Sequence, residues 1–222
     1  MNYNTAIAKL KSCAKPSPKN IAGMARFGIN TKNALCISVP VLRKMAREIG
    51  KNHKLALELY NSGIHEAKIL ASMIGEPAKM TEKQTEKWVK GFDSWDVCDQ
   101  VCSNLFDKTR FAWQKAASWS KRKEEFVKRA GFTMMAVLSV HDKKASDKDF
   151  IKLFSLIKKG SADKRNFVKK AVNWALRQIG KRNRKLNKEA MRTAREIAKI
   201  NSKSAKWIAH DALRELENFN KF

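Results

Sequence analysis

Trp95 and Asp99 lie four positions apart in the run F-D-S-W-D-V-C-D-Q, residues 92–100. On an α-helix that spacing puts both side chains on one face, about one turn apart. An indole beside a carboxylate is an unusual face for a helix that only packs. The other acids of the run have plainer uses. Asp93, or Ser94, can cap the helix start, and Asp96 falls in the first turn, where the helix dipole favours negative charge.

A second set lies downstream. Residues 158–188 hold twelve Lys or Arg and one acid, Asp163. Lys170, Trp174, Arg177 and Lys181 share one helix face, while Phe167, Val168, Ala171, Ala175 and Ile179 supply an apolar face opposite. A tryptophan among cations along a stripe fits a nucleic-acid backbone, with cations on phosphates and the indole on sugar or base. Arg129, in E-E-F-V-K-R-A-G-F (124–132), has an ordinary reading as a surface ion pair with Glu125 and a functional one as a phosphate clamp. No phosphate-cradling loop, dinucleotide fingerprint or H-E-x-x-H zinc motif occurs, and His65-Glu66 lacks the second histidine.

Helices must position these side chains. Apolar spacing and turn residues predict helices at 3–14 (ended by Pro16 and Pro18), from Ser38-Val39-Pro40 to Gly50, at 53–61, at 64–74, and from Thr81 onward. Further helices follow at 94–106, 109–119, 123–141, 148–159 capped by Asp147, 164–180 capped by Asp163, 184–200 and 203–219. The segment from Asn20 to Lys32 reads as less regular. Trp88 and Trp207 read as core residues, while Trp113 and Trp119 fall on a helix of mixed character. About twelve helices with short connections and no strand suggest antiparallel pairs of about 40 residues, in the range of HEAT-type repeats. The expected fold is all-α: a right-handed α-solenoid of about six such pairs, one domain over 1–222, with a concave basic groove.

Composition bounds the partner. Forty-seven Lys and Arg against 21 Asp and Glu give a net charge of +26 in 222 residues, which points to a polyanion, nucleic acid ahead of an anionic membrane surface. Cys13, Cys36, Cys98 and Cys102 form no C-x-x-C and no zinc-ligand spacing, so reduced, mostly buried thiols are expected. The N-terminal residues lack a signal-peptide apolar run, and no stretch approaches a membrane span, so the expectation is a soluble cytoplasmic protein and a monomer.

F-D-S-W-D-V-C-D-Q, V-K-R-A-G-F (127–132) and V-K-K-A-V-N-W-A-L-R-Q-I-G-K-R-N (168–183) resemble the AlkD-type DNA alkylation repair glycosylases, which are all-helical HEAT-like-repeat proteins. The resemblance extends through M-A-R-F-G-I (24–29), P-V-L-R (40–43), H-E-A-K-I-L-A (65–71) and S-A-K-W-I-A-H-D-A-L-R-E-L (204–216), nearly the whole chain. It implies removal of cationic N3- and N7-alkylated purines from duplex DNA, with no metal or organic cofactor. It places the catalytic carboxylate at Asp99, sugar-contacting tryptophans at Trp95 and Trp174, and a backbone-gripping arginine at Arg129. Arg43, Lys170, Arg177, Lys181 and Arg182 are the candidate DNA-binding cations. A non-catalytic helical-repeat protein that senses DNA structure or damage is the alternative. A protein-interaction scaffold is a third class, for which DNA binding would show little salt dependence.

Overall fold

A computed structural model describes residues 1–219. Thirteen α-helices and two short 3₁₀ turns make up its regular structure, and no strand occurs among the described residues. The chain forms two compact units, Met1–Arg110 and Phe111–Phe222.

The first unit holds α1 (Tyr3–Ser12), α2 (Pro18–Arg26), α3 (Val39–Ile49), α4 (His53–Asn61), α5 (His65–Ile74), α6 (Glu82–Lys90) and α7 (Trp95–Asn104). Several starts are set by side chains that accept otherwise unpaired backbone N–H groups. Asn2 accepts from Thr5, Ser17 from Asn20 and Asn52 from Leu55, at 2.9, 3.1 and 3.0 Å. Thr81 and Gln84 form a reciprocal capping box at the head of α6. The helix α2 corrects the expectation of irregular chain over Asn20–Lys32. Ser17 caps it and Pro18 opens its first turn, where a missing N–H costs nothing. None of its residues is buried.

The core of this unit centres on α5, which packs against α3, α4 and α7. Trp88 is fully buried, as expected, and stacks on Tyr60 at 3.9 Å. The Tyr60 hydroxyl donates to the Trp88 carbonyl at 2.5 Å, which satisfies the phenol of this buried aromatic pair. Buried Glu66 accepts from the backbone N–H groups of Leu35 and Ile37 at 2.7 and 3.2 Å, fixing the loop between α2 and α3.

The second unit holds α8 (Ala112–Trp119), α9 (Glu125–His141), α10 (Asp147–Gly160), α11 (Asn166–Gly180), α12 (Arg184–Ala198) and α13 (Lys203–Phe219). Its core is built around α9, which packs on α8 and α11, while α13 packs on α11 and α12. Close approach of α8 and α9 depends on Gly131: a Cβ there would fall 2.2 Å from the Ser120 backbone nitrogen. Trp119 is fully buried, and the Trp113 indole donates to Asp142 at 3.0 Å with its ring against Phe150.

Three expectations change here. Ser146, not Asp147, stands at the cap of α10, and Asp149 reaches back to its N–H at 3.2 Å. Arg165, not Asp163, takes the cap position of α11. Burial works to raise the Asp163 pKa, but Arg165 and Lys128, at 2.7 and 2.9 Å, hold the carboxylate well below its usual range. Trp207 is not core: it is 41% exposed.

Candidate active site

The start of α7 is pinned by a set of polar contacts. Ser94 occupies the cap position and is fully buried, yet its side chain does not cap. Its hydroxyl donates to Asp96 Oδ1 at 2.6 Å and accepts from the Asn30 N–H at 3.4 Å. The other Asp96 oxygen lies 2.8 Å from Nε2 of His65, a buried residue at the head of α5. Asp93, expected as a cap, instead binds Lys68 Nζ and Asn30 Nδ2, each at 3.1 Å. Thus the first turn of α7 is fastened to α5 and to the loop after α2 by charged contacts, whose geometry is more demanding than apolar packing.

The pair shifts both partners. Burial pushes the His65 pKa down, but the hydrogen bond and charge of Asp96 outweigh it, and the net shift is upward. Burial pushes Asp96 up, but His65, the Ser94 hydroxyl and the Val97 N–H outweigh it, and the net shift is downward. An ion pair is therefore favoured at the root of the helix.

On this anchored helix Val97, Cys98, Val101 and Cys102 are fully buried, while Trp95 and Asp99 are half-buried on another face. The expected one-turn spacing is realised. Trp95 is also held in orientation, because its indole N–H donates to the Phe27 carbonyl at 3.0 Å. A ring fixed at its polar edge presents its faces rather than swinging.

In the second unit Arg129 is 5% exposed on α9. One guanidinium nitrogen donates to the Phe167 carbonyl in the first turn of α11 at 2.6 Å, and Phe126 stacks on the Phe167 ring. Arg129 is thus an anchored residue, not a surface side chain. Trp174 is half-buried on α11, and Val168, Ala171, Ala175 and Ile179 of the same helix are fully buried, so the apolar face expected for this helix supplies the core.

The basic candidates divide. Lys170 on α11 and Arg43 on α3 are exposed. Arg177 and Lys181 are held by Glu215 of α13, Lys181 at 2.6 Å, with Asp211 3.8 Å from Arg177. Burial raises the Glu215 pKa, but these two cations bring the net value down. Arg182 donates to the Ser139 and Ala145 carbonyls at 2.9 and 3.1 Å and covers the Phe150 ring at 4.6 Å. It ties the end of α9 to the loop before α10. The sequence offered Ser94 only as a possible cap and His65 only as half of an incomplete zinc motif, and neither as an anchor of α7. The only signal of that role was their presence in H-E-A-K-I-L-A and F-D-S-W-D. Among the described residues no group of His, Cys, Asp or Glu is arranged to hold a metal ion, and no helix is long and apolar enough to cross a membrane.

Residues 6–216 match the family described as DNA alkylation repair enzyme. A solved structure described as a new family of proteins related to the HEAT-like repeat DNA glycosylases, with affinity for branched DNA structures, superposes with a TM-score of 0.81 at 20% identity. That match covers 98% of this chain and 95% of the other. The fold is therefore that of the HEAT-like repeat glycosylase relatives. A designed armadillo-repeat protein in complex with a (KR)4 peptide aligns with a TM-score of 0.43 at 14% identity, over 96% of this chain and 92% of that one, and carries no argument. No curated protein matches the chain.

Proposed function

The chain belongs to the DNA alkylation repair enzyme family, and from that premise we propose that it is a DNA glycosylase hydrolysing the N-glycosidic bond of cationic N3- or N7-alkylated purines in duplex DNA. The observation that carries this reading is the anchored α7, on which a half-buried carboxylate and an orientation-locked indole share a face. An alkylated purine is already cationic and leaves readily, so the work lies at the sugar. As the bond breaks, positive charge develops on the deoxyribose. Asp99 stabilises that charge and orients the attacking water, and Trp95 offers it a ring face. Trp174 packs on a sugar, with Lys170 and Arg43 contributing phosphate contacts, while Arg129, buried and bonded to the Phe167 carbonyl, supports α11 instead of gripping the backbone as the resemblance implied.

The test is release of free base from methylated duplex DNA. Wild-type protein is expected to exceed spontaneous loss, and Asp99→Asn to lower the single-turnover rate by ~10²–10³ without weakening DNA binding. Equal release by both proteins, or none above background, rules the reading out.

A second reading is favoured by the structural relative with affinity for branched DNA: a non-catalytic protein that senses DNA structure. Such a binder has no use for Asp99, whose charge repels phosphate. It predicts no base release, and a preference for branched over linear DNA.

A further inference from the structure

The W-x-x-x-D spacing of α7 recurs on α13 as Trp207 and Asp211. Here the carboxylate is fully engaged. Asp211 accepts from Asn173 at 2.7 Å and from Arg214 at 2.6 Å, with Arg177 at 3.8 Å. Its oxygens are directed at these partners, so the repeated spacing is not by itself a second site. Trp207 is different. It is 41% exposed, and it lines a cleft of ≈ 800 Å³ with Lys164, Lys169, Lys203 and Lys206.

These lysines contrast with the stripe on α11. Arg177 and Lys181 share the carboxylate of Glu215, whereas none of the four has an acidic partner within ion-pair distance among the described residues. The nearby Asp163 is already taken by Lys128 and Arg165. Lys169 places its ammonium 4.6 Å from the Trp207 ring centroid, covering part of one face. What remains is an exposed indole rimmed by unneutralised cations.

We infer that Trp207 and the surrounding lysines form a contact for an unpaired DNA base, the indole stacking on the base and the lysines holding its flanking phosphates. Inside a duplex both faces of every base are covered by stacking, so a lysine patch alone serves duplex DNA. The open indole gains only from a base that is out of the stack, at a fork, flap or single-stranded end. This rests on the nucleic-acid part of the reading above, not on glycosylase activity.

The experiment uses the full chain and two DNAs of one sequence, a blunt duplex and a fork carrying 2-aminopurine as its first unpaired base. Wild-type protein is expected to quench the 2-aminopurine on binding. Trp207→Ala should weaken fork binding by about 5- to 100-fold and change blunt-duplex binding by less than about twofold. Trp207→Phe should restore most of the difference, since any aromatic face can stack. Should Trp207→Ala melt early, the exposed pair Lys203→Gln and Lys206→Gln provides a second test: fork affinity falls more than blunt-duplex affinity, and its salt slope drops by about 1 to 2. Parallel loss on fork and duplex, no 2-aminopurine response from wild type, or tighter binding to single-stranded RNA overturns the assignment. Failure to bind any DNA overturns the preceding reading as well. Intact base release without fork selectivity overturns only this one.

Discussion

Asp96 and Asp99 are three positions apart and have opposite surroundings. Asp96 reads from sequence as a first-turn charge, and it does sit in the first turn, but it is also the partner of buried His65. That pairing has a consequence with a definite sign. The folded pKa of His65 lies above its ordinary 6.5, so its contribution to stability is fully present below that value and fades as pH rises through the folded value. The folded pKa of Asp96 lies below 3.8, so its contribution is present above that value and fades as pH falls through the folded one. Thermal melts are therefore expected to show wild type losing stability as pH rises above about 6.5, while His65→Gln loses less over the same range. Identical profiles for the two proteins would remove the pair from the account of how α7 is held. The spacing of Asp99 from Trp95 was legible because it is local to one helix, whereas the partner of Asp96 lies 31 positions away.

At the scale of elements, one glycine separates two rules that point in opposite directions. Gly131 lies inside α9, where helix propensity alone favours alanine by ~1 kcal/mol. Packing says the reverse, because the new Cβ would meet backbone atoms of Ser120 and Trp119 at 2.2 to 2.8 Å, and backbone cannot swing aside. Gly131→Ala is expected to destabilise the second unit by ~1–3 kcal/mol, read as a lowered melting temperature. A raised one would mean that α8 and α9 can separate freely. The same contrast explains which helices were readable. Those with a cap residue and a buried stripe, such as α4, α6 and α12, fall close to where their sequence places them, because both signals are local. The helix α2 has a cap and a proline but carries Gly23 in its interior, which weakens a helix assignment.

For the whole molecule, a net charge of +26 predicts strong and salt-sensitive DNA binding. If six to ten phosphates are neutralised, affinity should fall by ~10³–10⁵ between ~50 and ~200 mM salt, measured by anisotropy with a labelled duplex. A shallow dependence would favour a protein-interaction scaffold. Charge is countable from sequence, but its availability is not. Lys181 and Arg177 belong to Glu215, thirty-four and thirty-eight positions away, and Arg182 belongs to two backbone carbonyls and a ring. Trp207 reads as core by its spacing and stands in water, because α13 turns its buried face, Ile208, Ala209, Ala212 and Leu216, towards its neighbours instead. The sequence by itself determined the helical class, most helix ends and the Trp95–Asp99 face, all of which depend on residues within a turn or two of one another, and the family resemblance, which rests on the order of short local motifs. Only the tertiary structure decided which cations are neutralised, that Arg129 is anchored by α11, that His65 fastens the candidate catalytic helix, and that Trp207 is open. Each of these depends on partners far apart in the chain, and no local periodicity encodes where a long side chain finds its counter-charge.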